Sequence, residues 1–393
     1  MDETISQATR ELCVQLNRAS RGFAMTAENL LKAAQLSLSR ETIRQAVEAD
    51  GKAALALARS GELMPAWRAV DCKVPVAVPI KTPAQTRVEI PVEALVQAPK
   101  PDPIQAPAAP AAPAAGESVE ISRIYLSSDG FTAPTITDAE KHARRQKVIQ
   151  KRKLRDGPQR PLPPVKRGSD GRYKEFKAVM FFDHDLKHRQ VAVTRGDCDA
   201  LGKLMMRDAA RLGFRAADQR VGLIDGGPWI INQIKHRGLK TTAVGLDFYH
   251  LGENVHKTRR IVFGEANEPK TDPGSKWAAA MMHDAKHGGY EPIRQKIMEL
   301  RGKHRQGKRK EIDRLLEYTS DRREMIRYDE FIANGWHIGS GAMESQCRVI
   351  PDRVKGPGKR WDPDNAEAIM ALEALHQSGQ SAAYRLLAMN DRG

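Results

Sequence analysis

Three carboxylates stand out among the 393 residues by their neighbours. Asp225 ends a short apolar run, Arg220-Val221-Gly222-Leu223-Ile224, and is followed by Gly226-Gly227-Pro228-Trp229. Asp129 ends a second run, Val119 to Ser128, in which apolar and polar residues alternate, and is followed by Gly130. Glu344 falls in the first turn of a helix introduced by Gly339-Ser340-Gly341, with Ser340 as its expected N-cap. An isolated carboxylate is too costly to desolvate in the middle of a buried strand. At the C-terminal end of a strand, in the crevice above an open α/β sheet, it is tolerated and can meet a ligand. Two acids on adjacent strand ends and a third on a helix crossing the same edge offer the hard oxygen ligands that Mg²⁺ or Mn²⁺ prefers. A pair of such ions, about 4 Å apart, suits phosphoryl transfer, one activating the attacking oxygen and one stabilising the leaving oxygen. Taken singly, each acid also fits a simpler role, opening a turn or favouring the start of a helix.

The elements that must position them follow from hydrophobic periodicity. Strands are expected at Val119–Gly130, Tyr173–Phe182, Arg189–Thr194, Arg220–Asp225 and Lys240–His250, with helices at Asp197–Leu212 and Trp229–His236. That order predicts an antiparallel meander of three strands, then two right-handed helical crossovers that return beside the first strand. Asp129 and Asp225 then lie side by side on parallel neighbours. Asp183 and Asp185 fall in the hairpin between the second and third strands and are expected to be a solvated turn. Residues 252–335 turn helical and charged and are expected to form an all-α insertion, with Arg301–Lys310 as a basic patch. His256, His283 and His287 have the spacing of helix-surface residues.

Residues 1–73 form a helical segment by pattern. The helix around Thr26–Ala34, a short turn and a second helix capped by Ser39 match a helix-turn-helix outline, which would offer Arg40, Thr42, Arg44 and Gln45 to a major groove. A plain helical hairpin fits the same residues. Residues 74–118 are rich in Pro and Ala and are expected to be an extended spacer, because such a segment buries too little apolar area to offset its ordering entropy. The sheet-bearing region is expected at 119–251 and again at 336–376, with 377–393 as a tail. Lys and Arg number 64 against 49 Asp and Glu, a net +15. Between Lys141 and Lys177, 14 of these bases stand against three acids, Asp156, Asp170 and Glu175. Such a surplus favours a phosphate-rich partner, since each base that neutralises a phosphate releases condensed counterions. Cys13, Cys72, Cys198 and Cys347 are scattered, so neither a disulfide framework nor a cysteine zinc site is expected. With no secretory leader and no run long enough to span a membrane, a cytoplasmic protein is the expectation.

Ser128-Asp129-Gly130, Ile224-Asp225-Gly226-Gly227-Pro228-Trp229-Ile230, Leu246-Asp247-Phe248-Tyr249-His250 and Ile338 to Ser345, closed by Arg353 to Trp361, together resemble one family. It is the bacterial insertion-sequence transposases of the Mutator-like, Kra-type group, which carry an Asp-Asp-Glu site on a ribonuclease-H-like fold. The resemblance covers roughly residues 119–375, with a looser match over the helices from Thr26 to Gly51. It implies an α/β protein with a ribonuclease-H-like mixed sheet, an all-α insertion between the second Asp and the Glu, and a preceding helical domain and Pro/Ala-rich linker. It implies that Asp129, Asp225 and Glu344 bind two Mg²⁺ or Mn²⁺ ions, cut double-stranded DNA at element ends and join the freed 3′ end to a target. Asp247 and His250 match the family's Asp/Cys-x-x-His signature, either buttressing the triad or binding metal directly. Arg348, Arg353, Lys355, Lys359, Arg360 and Trp361, downstream of Glu344, are expected to grip phosphates or stack on a base. A homodimer or higher oligomer on DNA is implied as well. The chain departs from the family in lacking an N-terminal cysteine-rich zinc module. Two other outcomes stay open: a transposase-derived DNA-binding regulator without catalysis, and a metal-dependent nuclease without strand transfer.

Overall fold

The computed structural model describes residues 5–20, 22–77, 118–155, 157–265, 272–356 and 358–390. Most of the expected Pro/Ala spacer, residues 78–117, lies outside the described residues. The fold is α/β, with one mixed, open, six-stranded sheet. Its strands are β1 (Lys73–Ala77), β2 (Ser118–Pro134), β3 (Tyr173–Asp183), β4 (Arg189–Thr194), β5 (Gln219–Ile224) and β6 (Ala243–Leu246). The spatial order is β4-β3-β2-β5-β6, with β1 pairing to the start of β2. β2, β3 and β4 form the antiparallel meander, and β5 and β6 join β2 in parallel. This is the arrangement expected from the order of elements.

Alternation along β2 sends successive side chains to opposite faces. Ile124 and Leu126 belong to one core, with Val179 and Phe181 of β3. Tyr125 and Phe131 belong to the other, with Phe176, Met180 and Phe182. The second core is covered by the N-terminal helices α1 (Gln7–Ala19), α2 (Phe23–Ala34) and α3 (Arg40–Ser60). Helix α4 (Asp138–Lys153) carries much of the basic run and buries none of its residues. The first core is covered by α5 (Cys198–Leu212), α6 (Pro228–His236) and α7 (Phe248–Phe263). It extends into α8 (Pro273–Gly288), α9 (Tyr290–Lys303), α10 (Gln306–Ser320) and α11 (Tyr328–Ala333), the helical stretch between β6 and the chain's return to the sheet. That return is made by α12 (Gly341–Asp352) and α13 (Pro363–Gln377), and α14 (Ser381–Asn390) follows. Fully buried side chains such as Phe181 and Phe182 each contribute about 1.5–3 kcal/mol by leaving water. No helix among the described residues is long and apolar enough to cross a membrane.

Several elements differ from their sequence expectation. β2 does not stop at Asp129 but runs on to Pro134, because β3 keeps pairing with it from Asp129↔Ala178 to Pro134↔Tyr173. β6 stops at Leu246, and the expected strand residues Phe248-Tyr249-His250 are the first turn of α7. The switch is made by Asp247, whose side chain accepts the His250 N–H as an N-cap, so the chain turns from strand to helix at that residue. Lys73–Ala77, at the start of the expected spacer, is a strand paired to Ser118–Ser122. The N-terminal helices lie on the sheet-bearing body, α3 packing along α13. The approach is so close that a Cβ on Gly51 would lie 2.6 Å from the Ala368 carbonyl oxygen.

Gly51→Ala should therefore destabilise the fold by about 1–3 kcal/mol through overpacking, whereas Gly302→Ala, on an open helix surface, should stabilise it by up to about 1 kcal/mol. Urea denaturation measures both, and a neutral Gly51→Ala would contradict the α3–α13 contact.

Candidate metal centre

The parallel ladder between β2 and β5 ends at the pair Ser128↔Ile224. The next residue on each strand is Asp129 and Asp225, so the two acids emerge side by side where β5 runs out. Asp129 keeps its β3 partner on one side and loses its β5 partner on the other, which leaves it half-buried rather than sealed in the sheet. Its Oδ1 accepts the Gly130 N–H at 2.6 Å. Asp225 is held by the turn that follows it, with Oδ1 accepting the Gly227 N–H at 2.7 Å. Gly226 takes φ +80°, and a Cβ there would meet Arg322 Nε at 2.5 Å, so the turn needs glycine on both counts. Arg322 donates to the Gly226 carbonyl at 3.1 Å and stacks 4.1 Å over the Tyr318 ring, bracing the Asp225 turn from the helical region.

Glu344 comes to the same edge on the first turn of α12, which packs against β2. Its position depends on Asp247. That carboxylate is fully buried; one oxygen caps α7 through His250 N–H, and the other accepts the Ser340 N–H that immediately precedes α12. Ser340 was expected to cap α12 with its side chain. Instead its hydroxyl makes no capping bond, and its backbone N–H is given to Asp247. One carboxylate thus ties the end of β6, the start of α7 and the start of α12 together. The lead-in is also pinned at His337, whose ring stacks on His184 with centroids 4.5 Å apart and whose Nε2 lies 2.9 Å from the His184 carbonyl oxygen. Tyr125 of β2 completes this cluster, its hydroxyl 3.0 Å from His184 Nδ1. The β3–β4 hairpin was expected to be a solvated turn. Asp185 fits that, but Asp183 is buried and accepts the His188 N–H, while His184 supports the segment that carries Glu344.

Asp129 and Asp225 thus leave the sheet side by side, and Glu344 lies near enough to feel the charge of Asp129. Among the described residues, the ligand-bearing set close enough to share one ion is Asp247, His250 and Glu344, whose ligand atoms all lie within 4.8 Å of one another; Asp129 and Asp225 are not in it. His250 Nδ1 lies 3.3 Å from Glu253. Burial raises the Asp129 carboxyl above its usual value, and the charge of Asp225 raises it further, against the Gly130 N–H, the Cys347 thiol and His250. Glu344 is raised first by partial shielding from water, then by Asp247, Glu253 and Asp129, with His250 opposing. The negative field reaches Tyr318, which burial pushes up to about 12 against the pull of Arg322. Carboxylates raised by burial first and by neighbouring charge second, beside one imidazole, make a cluster that could hold a metal ion.

Among the residues given no site role from sequence, Cys347 is the clearest. One turn beyond Glu344, its thiol donates to Asp129, and burial followed by the Asp129 charge pushes it well above the usual thiol range. Its i+3 spacing from Glu344 was the available signal.

The expected DNA-contacting residues divide. Arg353 is corrected: its guanidinium is buried and donates to Asn17 Oδ1 at 2.7 Å, joining α12 to α1. Trp361 is partly buried, its indole N–H donating to the Val354 carbonyl at 3.0 Å and its ring lying edge-on to Phe23. Arg360 is bound to Thr135 and Glu140, and Lys359 to the Arg353 carbonyl. Arg348 and Lys355 are exposed. In α3, Arg44 pairs with Glu41 and Glu48, Gln45 donates to Glu41, Thr42 is bonded to Ser39, and Arg40 is exposed.

Asp247→Ala should cost about 2–4 kcal/mol, the sum of a lost N-cap and a stranded buried N–H, measured by urea denaturation. A loss below about 0.5 kcal/mol would contradict its role as a strut. The raised Asp129 and Glu344 carboxyls carry a definite pH sign. Above the ordinary values of 3.8 and 4.5, the folded state holds protons that the unfolded state has released, so the stability they contribute falls as pH rises through their folded values. In the cation-free protein, Asp129→Asn should flatten that decline; parallel stability–pH curves for wild type and variant would contradict it.

No protein-family model matches the chain and no curated protein matches it in sequence, so any functional reading rests on these residues and their arrangement.

Proposed function

We propose that the chain is a DNA transposase with an Asp-Asp-Glu site on a ribonuclease-H-like core, cutting double-stranded DNA at element ends and joining the freed ends to a target. The observation that carries this reading is the side-by-side emergence of Asp129 and Asp225 from parallel strands, with Glu344 brought to the same edge by α12. The mixed sheet order, the helical stretch between β6 and α12, and the net charge of +15 all support it. Asp129, Asp225 and Glu344 would hold two Mg²⁺ or Mn²⁺ ions. Such ions, when bound, activate an attacking oxygen and stabilise a leaving one. The protein's own part is positioning. Arg322 fixes the Asp225 turn, Asp247 fixes the helix that presents Glu344, and His250 sets a cationic or hydrogen-bonding group among the acids. A strand attacked at this edge would meet Asp129 on β2, Glu344 on α12 and Asp225 on the glycine turn that Arg322 braces. DNA is the partner that the basic surplus fits, and two ends brought together would call for at least two copies of the chain.

One observation favours a second reading. The closest ligand set, Asp247–His250–Glu344, mixes carboxylates with an imidazole and suits a single ion. On that reading the chain is a metal-dependent nuclease that does not join strands.

A labelled duplex carrying the element's terminal sequence, incubated with Mg²⁺ or Mn²⁺, separates the possibilities. The transposase reading expects cleavage and joined products, with Asp225→Asn lowering the rate by about 10²-fold or more. Cut ends without joined products would support the nuclease. Binding without cleavage at any divalent concentration would leave a DNA-binding protein and overturn both enzymatic readings.

A further inference from the structure

Helix α7 leaves the acid cluster with an exposed stripe at helical spacing: Tyr249, Glu253, His256, Lys257 and Arg260. They line a groove of about 950 Å³ that begins at Glu344, with Gly252 and Met282 beneath. Tyr249 is 64% exposed. One edge of the ring lies beside the backbone before α12, so close that a Cβ on Gly339 would meet it at 3.0 Å. The ring is thus shelved against the protein with its remaining surface turned to the groove.

Charge changes sign along the stripe. The acids lie at the Tyr249 end, where Glu253 is turned to His250. Lys257 and Arg260 lie at the other, beside Arg259, which pairs with Asp272. Burial and then the charges of Arg259 and Arg260 lower the His256 imidazole, a mark of the positive potential at that end. From Tyr249 to Arg260 the helix rises about 16 Å, room for a few nucleotides. An acid cluster is where a phosphate enters only with cations; a Lys/Arg pair downstream holds phosphates without them. An exposed ring beside the acids is what an unstacked base needs, since stacking on an aromatic side chain accepts every base.

We infer that the α7 groove holds a single strand of DNA leaving the acid site, with Tyr249 stacking on an unpaired base next to the reacting phosphate and Lys257 and Arg260 gripping the phosphates beyond it. This rests on the proposed DNA-processing function and adds to it the path of the strand and the residue that keeps the base out of the helix.

The test is binding of a fluorescein-labelled single-stranded oligonucleotide, and of the matching blunt duplex, to the full chain in EDTA, so that no cleavage is needed. Tyr249→Ala should weaken single-strand binding about 5- to 100-fold, the range for losing one base–aromatic stack, while Tyr249→Phe stays within about twofold of wild type. The Lys257→Ala/Arg260→Ala double variant should reduce the salt slope of single-strand binding by about 1.4, two phosphate contacts at about 0.7 each. The duplex should respond much less to Tyr249→Ala. Thermal melting of each variant checks that the exposed substitutions leave the fold intact. Unchanged single-strand affinity in Tyr249→Ala, or equal losses for strand and duplex, overturns the inference. A chain that binds in this pattern yet never cuts DNA with Mg²⁺ or Mn²⁺ refutes the enzymatic proposal and leaves this one standing. A chain that cuts and joins with Tyr249→Ala unaffected does the reverse.

Discussion

The arrangement depends on where a single hydrogen-bonded ladder stops. β2 and β5 pair in parallel as far as Ser128 and Ile224, and the next residue on each strand is an acid. Had β5 run two residues further, Asp225 would be drawn into the sheet, and burial of an unpaired carboxylate would oppose the pairing. Had it stopped earlier, Asp225 would hang on a loop. The Gly226-Gly227-Pro228 turn ends the strand at that point, and Arg322 braces the turn from outside the sheet. β2, by contrast, is carried past its own acid by β3, so Asp129 is rigidly based and open on one side only.

Burial and, after it, mutual charge raise the acids at this edge, and Asp247 differs from the others in how its charge is met. Its two oxygens each accept a backbone N–H, one at the start of α7 and one just before α12, so its own charge is satisfied by the fold. Asp129 and Glu344 are not satisfied in that way, and both retain protons more strongly than usual. The distinction divides the cluster into a carboxylate that holds the framework and carboxylates presented to the cleft. A cation would relieve the second kind; the first needs none.

Much of the framework was legible in the sequence because the signals were local. Arg189–Thr194 is a β-branched run bounded by turn residues, and it is a strand over those same residues. Asp197 precedes an amphipathic run and caps α5 through the Ala200 N–H. The order of elements carried the sheet topology, since few connections are sterically allowed. The rest was decided by partners distant in sequence. Nothing within Val119–Pro134 reveals that β3 extends the strand beyond Asp129. Asp247 follows an apolar run just as Asp225 does and caps α7 through the nearby His250 N–H, but that Ser340, far along the chain, donates to its second oxygen could not be read locally. Arg353 and Trp361 have the residue types of a DNA-contacting surface, but Asn17 and the Val354 carbonyl turn them inward. At the centre, Asp129 and Asp225 were legible as lone acids next to glycines and Glu344 as a first-turn acid after Gly339-Ser340-Gly341, whereas the closeness of His250 and Asp247 to Glu344 required the fold.

The central claim is that Asp129, Asp225 and Glu344 act together on divalent cations. The most direct measurement is anomalous diffraction from crystals soaked in Mn²⁺. The account predicts density between the carboxylates of Asp129 and Asp225, with Glu344 completing the coordination and Asp225→Asn abolishing the peak. A manganese ion held by Asp247, His250 and Glu344 alone, with Asp129 and Asp225 uncoordinated, would contradict it.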